Sequence, residues 1–360
     1  MALLASALVA GIAITAASAS SHQARASTTK VFRIALANSF VGNTWRLEME
    51  NIFKAGCQMP PYNKEISCSV YNAGDNDVAT QQQQLSDLIS SGVNAIIIDA
   101  ASPTGLNAEV AQACARGIVV VSFDSVVTAP CGQTVNTNQL EFGELGAQFL
   151  VNKLHGKGNV VMVTGVPGTF GDTQRNLGVM KVFKANPGIH VVSKYSGMWD
   201  SATAESATAA ALPSLPKING IWVSGGTDGV IKALVDAHYS PLPVVAGEGE
   251  NGFRQYLLPG GYKGKSVVGQ SLGQPPFLSL ASMQLALEIL QGKHAKSSVV
   301  LPFPIVNNQT VKLGQTVFNN VPSSFFDDFT DSGPKATVVI CLKAALTGKP
   351  CPGSLNIRIP

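Results

Sequence analysis

From Val31 to Arg46 the sequence VFRIALANSFVGNTWR passes from apolar to polar positions in a way that sets the plan of the whole chain. Val31, Ile34, Ala35, Leu36 and Ala37 suit a strand buried between helical layers, whereas Asn38, Ser39, Gly42 and Asn43 end it in a loop. Trp45 and Arg46 then open an amphipathic helix, with Leu47, Met49, Ile52 and Phe53 for its apolar face. The alternation continues with a strand over 67–71 and a helix capped by Asp77 that carries Val78, Leu85, Leu88 and Ile89. A strand over 94–99, a helix over 104–116 and a strand over 118–124 follow. The strands end in Asn72, Asp99 and Asp124.

A second cycle begins near Asn138. A strand over 160–163 leads into GVPGTFGDTQRNLG and a helix bearing Val179, Met180, Val182 and Phe183. A strand over 191–195 enters Gly197-Met198-Trp199-Asp200, and a strand over 218–223 enters Ser224-Gly225-Gly226-Thr227-Asp228, with Asp228 as the cap of a helix over 229–237. Strands over 244–246 and 266–269 run into 247–252 and Gln270-Ser271. A helix over 279–291 precedes a strand over 299–306 that Pro302 and Pro304 interrupt, as suits an edge or an interdomain crossing. Past Asn307 the pattern weakens, and 325–360 reads as a small appendage stapled by Cys341 and Cys351. Alternating strands and helices predict parallel sheets with right-handed crossovers, built twice, whose strand ends share one edge, the place where open α/β sheets bind ligands.

Composition narrows the function. The 360 residues suffice for two domains, and with 13% charged residues, a net charge of +3 and no Lys/Arg cluster, nothing calls for nucleic acid or an anionic membrane as partner. Residues 1–26 hold a short apolar run and small-residue sites at 17–19 and 24–26, which read as an export signal. With the first cysteine at position 57, no lipid tether is expected after that run. The six cysteines fall as neighbours, Cys57 with Cys68, Cys114 with Cys131 and Cys341 with Cys351; local disulfides are expected, although six cysteines allow about 15 connectivities. No Cys/His cluster announces a metal.

Catalytic and cofactor motifs fail on inspection. Gly247-Glu248-Gly249-Glu250-Asn251-Gly252 matches G-x-G-x-x-G, but it does not follow the first strand and no acidic residue stands near Leu272 to hold a ribose. The glycines are expected to shape a loop facing a cleft, and no cofactor is expected. Gly264-Lys265-Ser266 lacks the first glycine of a phosphate loop, and Trp222 replaces the leading glycine of a nucleophile elbow at Ser224. His155, His190, His238 and His294 sit in helix or turn contexts away from the strand ends. What remains are strand ends carrying aromatics, carboxylates, amides and arginines. Trp45 and Trp199 suit the C–H faces of a sugar ring, Arg175 and Arg46 supply forked donors, and Asp99, Asp124 and Gln270 accept.

Over roughly 31–306 the chain resembles the periplasmic sugar-binding proteins of ribose- and galactose-type ABC transporters. The segments that carry the resemblance are ANSFVGNTWR, NAGDNDVATQQQQLSDLISSGVNAIIIDAASPTGLN, GIVVVSFDS, GTFGDTQRNLG, GMWD, SGGTDG and VVGQS. It implies the type I periplasmic binding protein fold, an α/β architecture of two Rossmann-like lobes joined by three crossing strands, with a sugar held between them. By position, Asn38, Trp45, Arg46, Asp99 and Asp124 would serve from the first lobe, Arg175, Trp199 and Thr227 from the second, and Gln270 at the hinge. Ser125 and Thr227 depart from the family's usual residues, as do Glu248 and Gly249, which replace an aromatic–Asp pair and make Glu248 a ligand candidate of its own. The expected lobes are 31–137 with 271–303 and 138–270 with 304–324, followed by an extension over 325–360. The expected protein is a non-enzymatic, monomeric periplasmic receptor that captures a monosaccharide and delivers it to a membrane permease; the alternative is a sensor presenting the sugar to a chemoreceptor or histidine kinase.

Overall fold

In the computed structural model, which describes residues 1–2, 31–293, 297–331 and 336–359, the chain alternates strand and helix almost throughout. Val31–Pro360 forms one compact unit that contains both sheets. The first half runs β1 (Phe32–Asn38), α1 (Thr44–Cys57), α2 (Tyr62–Glu65), β2 (Ile66–Asn72), α3 (Val78–Ser91), β3 (Ala95–Asp99), α4 (Asn107–Ala115), β4 (Val119–Phe123) and β5 (Gln133–Asn136). The second runs α5 (Gln139–Lys153), β6 (Gly158–Thr164), α6 (Phe170–Lys184), β7 (Ile189–Ser196), α7 (Ser201–Ala211), β8 (Gly220–Val223), α8 (Thr227–Asp236), β9 (Val244–Gly247), α9 (Asn251–Leu257) and β10 (Gly269–Leu272). The chain then returns to the first half as α10 (Leu278–Leu290) and β11 (Ser298–Val300), crosses again as β12 (Ile305–Asn307), and ends with α11 (Leu342–Thr347).

Two six-stranded sheets result, ordered β11-β5-β4-β3-β1-β2 and β12-β10-β9-β8-β6-β7. All pairings are parallel except β10 with β12. The sheets repeat one plan: β1, β3 and β4 of the first correspond in order to β6, β8 and β9 of the second. Three stretches cross between them, after β5, after β10 and after β11.

Continuous apolar strands bury both faces. Ile34, Leu36 and Ile97 face one layer, with Met49, Ile52 and Phe53 of α1 and Leu280 and Met283 of α10. Ala35, Ala37 and Ile98 face the other, with Leu85, Leu88 and Ile89 of α3. Each of the buried Ile, Leu, Met and Phe side chains contributes roughly 1.5–3 kcal/mol. Residues beyond 317 join the first core: Phe325, Phe326, Phe329, Val338, Ile340, Leu355 and Ile357 all lie within it.

The structure corrects several local readings. Leu47 is 53% exposed and does not belong to the apolar face of α1, because its direction on the helix points it away from the sheet. Asp228 is not the cap of α8: Gly226, at φ +80°, caps a helix that begins at Thr227, two residues before the expected start, and Asp228 accepts a hydrogen bond from Ser201 Oγ. His190 lies in β7, not in a helix or turn. The segment read as an export signal falls largely in 3–30, and His294 in 294–296, both outside the described residues. Cys57–Cys68, Cys114–Cys131 and Cys341–Cys351 form disulfides. Among the described residues no helix is long and apolar enough to cross a membrane.

Candidate functional site

Each lobe brings one arginine to its strand ends, and the two arrangements mirror each other. In the first lobe Asn43 caps α1 by accepting the Arg46 N–H at 3.0 Å, which directs the Trp45 and Arg46 side chains toward the ends of β1, β3 and β4. The Arg46 guanidinium donates to Asn38 Oδ1 at 2.8 Å, pairs with Asp99, and reaches Asp124 Oδ2 at 3.3 Å. In the second lobe Thr169 caps α6, and Arg175 pairs with Glu248 at 3.1 Å while donating to the Ser224 carbonyl at 2.6 Å. Asp99 ends β3 and Ser224 follows the corresponding strand β8; Asp124 and Glu248 follow β4 and β9. Each guanidinium is thereby held by several partners at once, and both arginines line the cleft.

The tryptophans complete the two faces. Trp45 is buried and its Nε1–H donates to the Gln274 carbonyl at 2.8 Å. Trp199 is half-buried, donates to Ser224 Oγ at 2.9 Å, and sits at φ +55° directly after Met198 at φ +57°. Two consecutive non-glycine residues in the left-handed region are costly, by about 1–3 kcal/mol each, and such strain collects at ligand sites. The indole lies against Gly165 and Gly225, where any Cβ would collide with it. Together Asn43, Trp45, Arg46, Asp124, Gly171, Arg175, Trp199, Glu248, Gln274 and Phe326 line one narrow cleft.

A buried polar chain runs beneath this cleft from one arginine to the other. Gln274 Nε2–H donates to Asp124 Oδ1 at 2.8 Å, Thr137 Oγ1–H to Gln274 Oε1 at 2.5 Å, Gln139 to Thr137 at 2.7 Å, and Arg175 Nε–H to Gln139 Oε1 at 2.7 Å. Burial pushes the Glu248 carboxyl up to about 8 against the opposing pull of Arg175, with Glu250 adding to the rise. Burial likewise lifts Asp99 well above the ordinary carboxylate range, Arg46 opposing it.

Of the residues singled out in the sequence, Trp45, Arg46, Asp124, Arg175, Trp199 and Glu248 line the cleft. Asn38 and Asp99 stand behind Arg46 and hold it. Thr227 is not among the residues that line the cleft; its N–H donates to Glu250 and its hydroxyl accepts from the Glu248 N–H. Gln270 does not line the cleft: it pairs within β10 against Ala246 and Asn307. Gln274, four residues on, occupies that role, and Pro275-Pro276 after it is the signal that marks where the strand has ended. Asn43 and Phe326 are further lining residues that pattern reasoning passed over.

Comparison with known proteins decides the family. The model of the periplasmic binding protein domain matches residues 34–294. The chain belongs to this family. Among curated relatives of this periplasmic binding protein, the xylitol-binding protein of Mycolicibacterium smegmatis is 28% identical over 67% of this chain and 69% of its own. The ribose import binding protein of Bacillus subtilis is 24% identical over 77% and 87%. An ABC transporter solute binding protein of Thermobispora bispora superposes with a TM-score of 0.73 at 25% identity, covering 91% of this chain and 99% of the other. The relatives are solute-binding proteins, not enzymes.

Proposed function

We propose that this periplasmic binding protein is the exported receptor of an ABC import system, and that it captures one monosaccharide or small polyol between its lobes for delivery to a membrane permease. One observation carries the reading: tryptophans from opposite lobes, Trp45 and Trp199, line the same cleft as the Arg46–Asp124 and Arg175–Glu248 pairs. Aromatic faces suit the C–H face of a ring, and rigid guanidinium forks with carboxylates suit vicinal hydroxyls. The names of the relatives, for xylitol, ribose, allose and apiose, point to the same class.

Ligand contacts divided between lobes favour the closed arrangement by differential binding. A thermal-shift and calorimetric panel of xylitol, D-ribose, D-allose and D-apiose tests this reading. At a hundredfold excess over Kd a true ligand adds about 2.7 kcal/mol of stability, a shift of several degrees. Trp199→Ala should weaken that ligand by roughly tenfold or more. Absence of binding by any five- or six-carbon sugar or polyol would remove the proposal.

A further inference from the structure

Two features are not explained by the cleft as described so far: Gly249 and Gly252, which follow the lining residue Glu248 in the glycine pattern of 247–252, and a buried carboxylate, Glu48, of α1. Both lead to the C-terminal segment 323–328. A Cβ on Gly249 would strike the Asp328 carboxylate, one on Gly252 would strike Ser323, and one on Gly273, in the crossing after β10, would strike Asp328 again. The motif that imitates a dinucleotide loop thus leaves room for a piece of the same chain. The backbone seals the fit: Asn251 N–H donates to the Phe325 carbonyl at 2.7 Å, Gly252 N–H to the Ser323 carbonyl at 2.7 Å, and Asp327 N–H to the Gly249 carbonyl at 3.0 Å. Arg254 closes on Asp328 at 2.6 Å.

The other side of the segment is held by the first lobe. Phe326 N–H donates to Glu48 Oε1 at 2.9 Å, and Thr44 Oγ1–H donates to Ser324 Oγ at 2.9 Å. Phe325 and Phe329 anchor in the first core, their rings 5.6 Å apart, with Phe318 against Phe329. Glu48 lies one helical turn after Trp45, so one face of α1 presents the aromatic wall and grips the segment beside it. Between these attachments Phe326 projects into the cleft, only 4% exposed. The family domain ends at residue 294, well short of this segment.

We propose that 323–328 is a clasp that completes the ligand site: it binds both lobes and supplies Phe326 as a third aromatic wall, which restricts the cleft to ligands of one sugar unit. The inference rests on the reading of the cleft as a sugar or polyol site. A wall contributed by a segment stitched to both lobes is fixed in position only where the lobes meet, so its contact with ligand reports the same closed arrangement that Trp45 and Trp199 share.

The test uses the full chain and calorimetry with xylitol, D-ribose and maltose. The wild type is measured first; if it binds none of the five- or six-carbon panel, the sugar reading falls and the clasp as a ligand wall falls with it. Given a ligand, Phe326→Ala should weaken it roughly tenfold and narrow the gap between it and maltose. Phe326→Leu preserves apolar burial without a ring face and should give a smaller loss, which separates wall from fold. Gly249→Ala, whose new Cβ displaces Asp328, should reproduce the loss without altering a lining residue. If Phe326→Leu, Phe326→Ala and Gly249→Ala all bind every probe within twofold of the wild type while melting as cooperatively, the clasp is not part of the site.

Discussion

Arg175 and Glu248 are the residues on which the electrostatics of the second lobe turn. Both are buried, so the pair carries a desolvation penalty that mutual attraction and the hydrogen bonds to Ser224 and Gln139 must offset. The consequence is a pH dependence whose sign follows from linkage. Burial, with the charges of Glu250 and Asp124, holds the Glu248 carboxyl at about 8, above an unfolded value near 4.5, and burial beside Asp228 holds Glu250 at about 7. Between those values the folded state binds more protons than the unfolded one, so stability falls as pH rises. Burial raises Glu48, Asp99, Asp327 and Asp328 as well, so no group in the set opposes the trend. The unliganded protein is therefore expected to melt highest near pH 5 and progressively lower toward pH 8.5 in calorimetric scans, with Glu248→Gln showing a shallower decline. A melting temperature that climbs across that window would contradict the assignment.

At the scale of elements, the site depends on how closely α6 approaches α5. Gly178 sits where a Cβ would strike the Leu140 carbonyl, and Gly143 where one would strike the Arg175 carbonyl, so the two helices touch backbone to backbone. Arg175 lies one turn before Gly178, and its guanidinium is placed by that contact. Gly178→Ala should push α6 outward, cost roughly 1–3 kcal/mol by overpacking, and weaken ligand binding although it touches no lining residue. Comparing affinity with the distant exposed change Lys184→Ala gives the control; equal affinity in both variants would show that α6 tolerates the shift.

The same scale explains what the sequence made legible. Strands such as β1, β3 and β4 bury both faces, so their continuous apolar runs and polar ends located Trp45, Asp99 and Asp124 without a structure. Gln274 escaped because β10 extends to Leu272, past the point where apolar character lapses at Gln270. Phe326 escaped for a deeper reason. The run Phe325-Phe326-Asp327-Asp328-Phe329 has neither helical nor strand period, and its place is set by glycines and a carboxylate distant in sequence. Long-range seating of this kind leaves no local pattern.

For the molecule as a whole, the crosslinks are unevenly placed, and that asymmetry is testable. Cys57–Cys68 ties α1 to β2 and Cys114–Cys131 ties the end of α4 to the approach of β5, both within the first sheet's lobe. Cys341–Cys351 closes the C-terminal residues that pack on the same core. The second sheet, β6 to β10 with β12, holds none. Sequence separations of 11, 17 and 10 residues correspond to roughly 3 kcal/mol of stabilisation for each bridge in the chain-entropy model. Reduction should therefore weaken one lobe and spare the other, so that a single thermal transition separates into two. Hydrogen exchange locates the effect: on reduction, amides of β1, β3 and β4 lose protection while those of β6, β8 and β9 keep theirs. Because the clasp is anchored in the weakened core and Phe326 lines the cleft, ligand affinity should fall along with first-lobe protection. Uniform loss of protection across both sheets would instead show that the lobes unfold as one cooperative body, their polar chain through Gln274 and Gln139 binding them more tightly than either core binds itself.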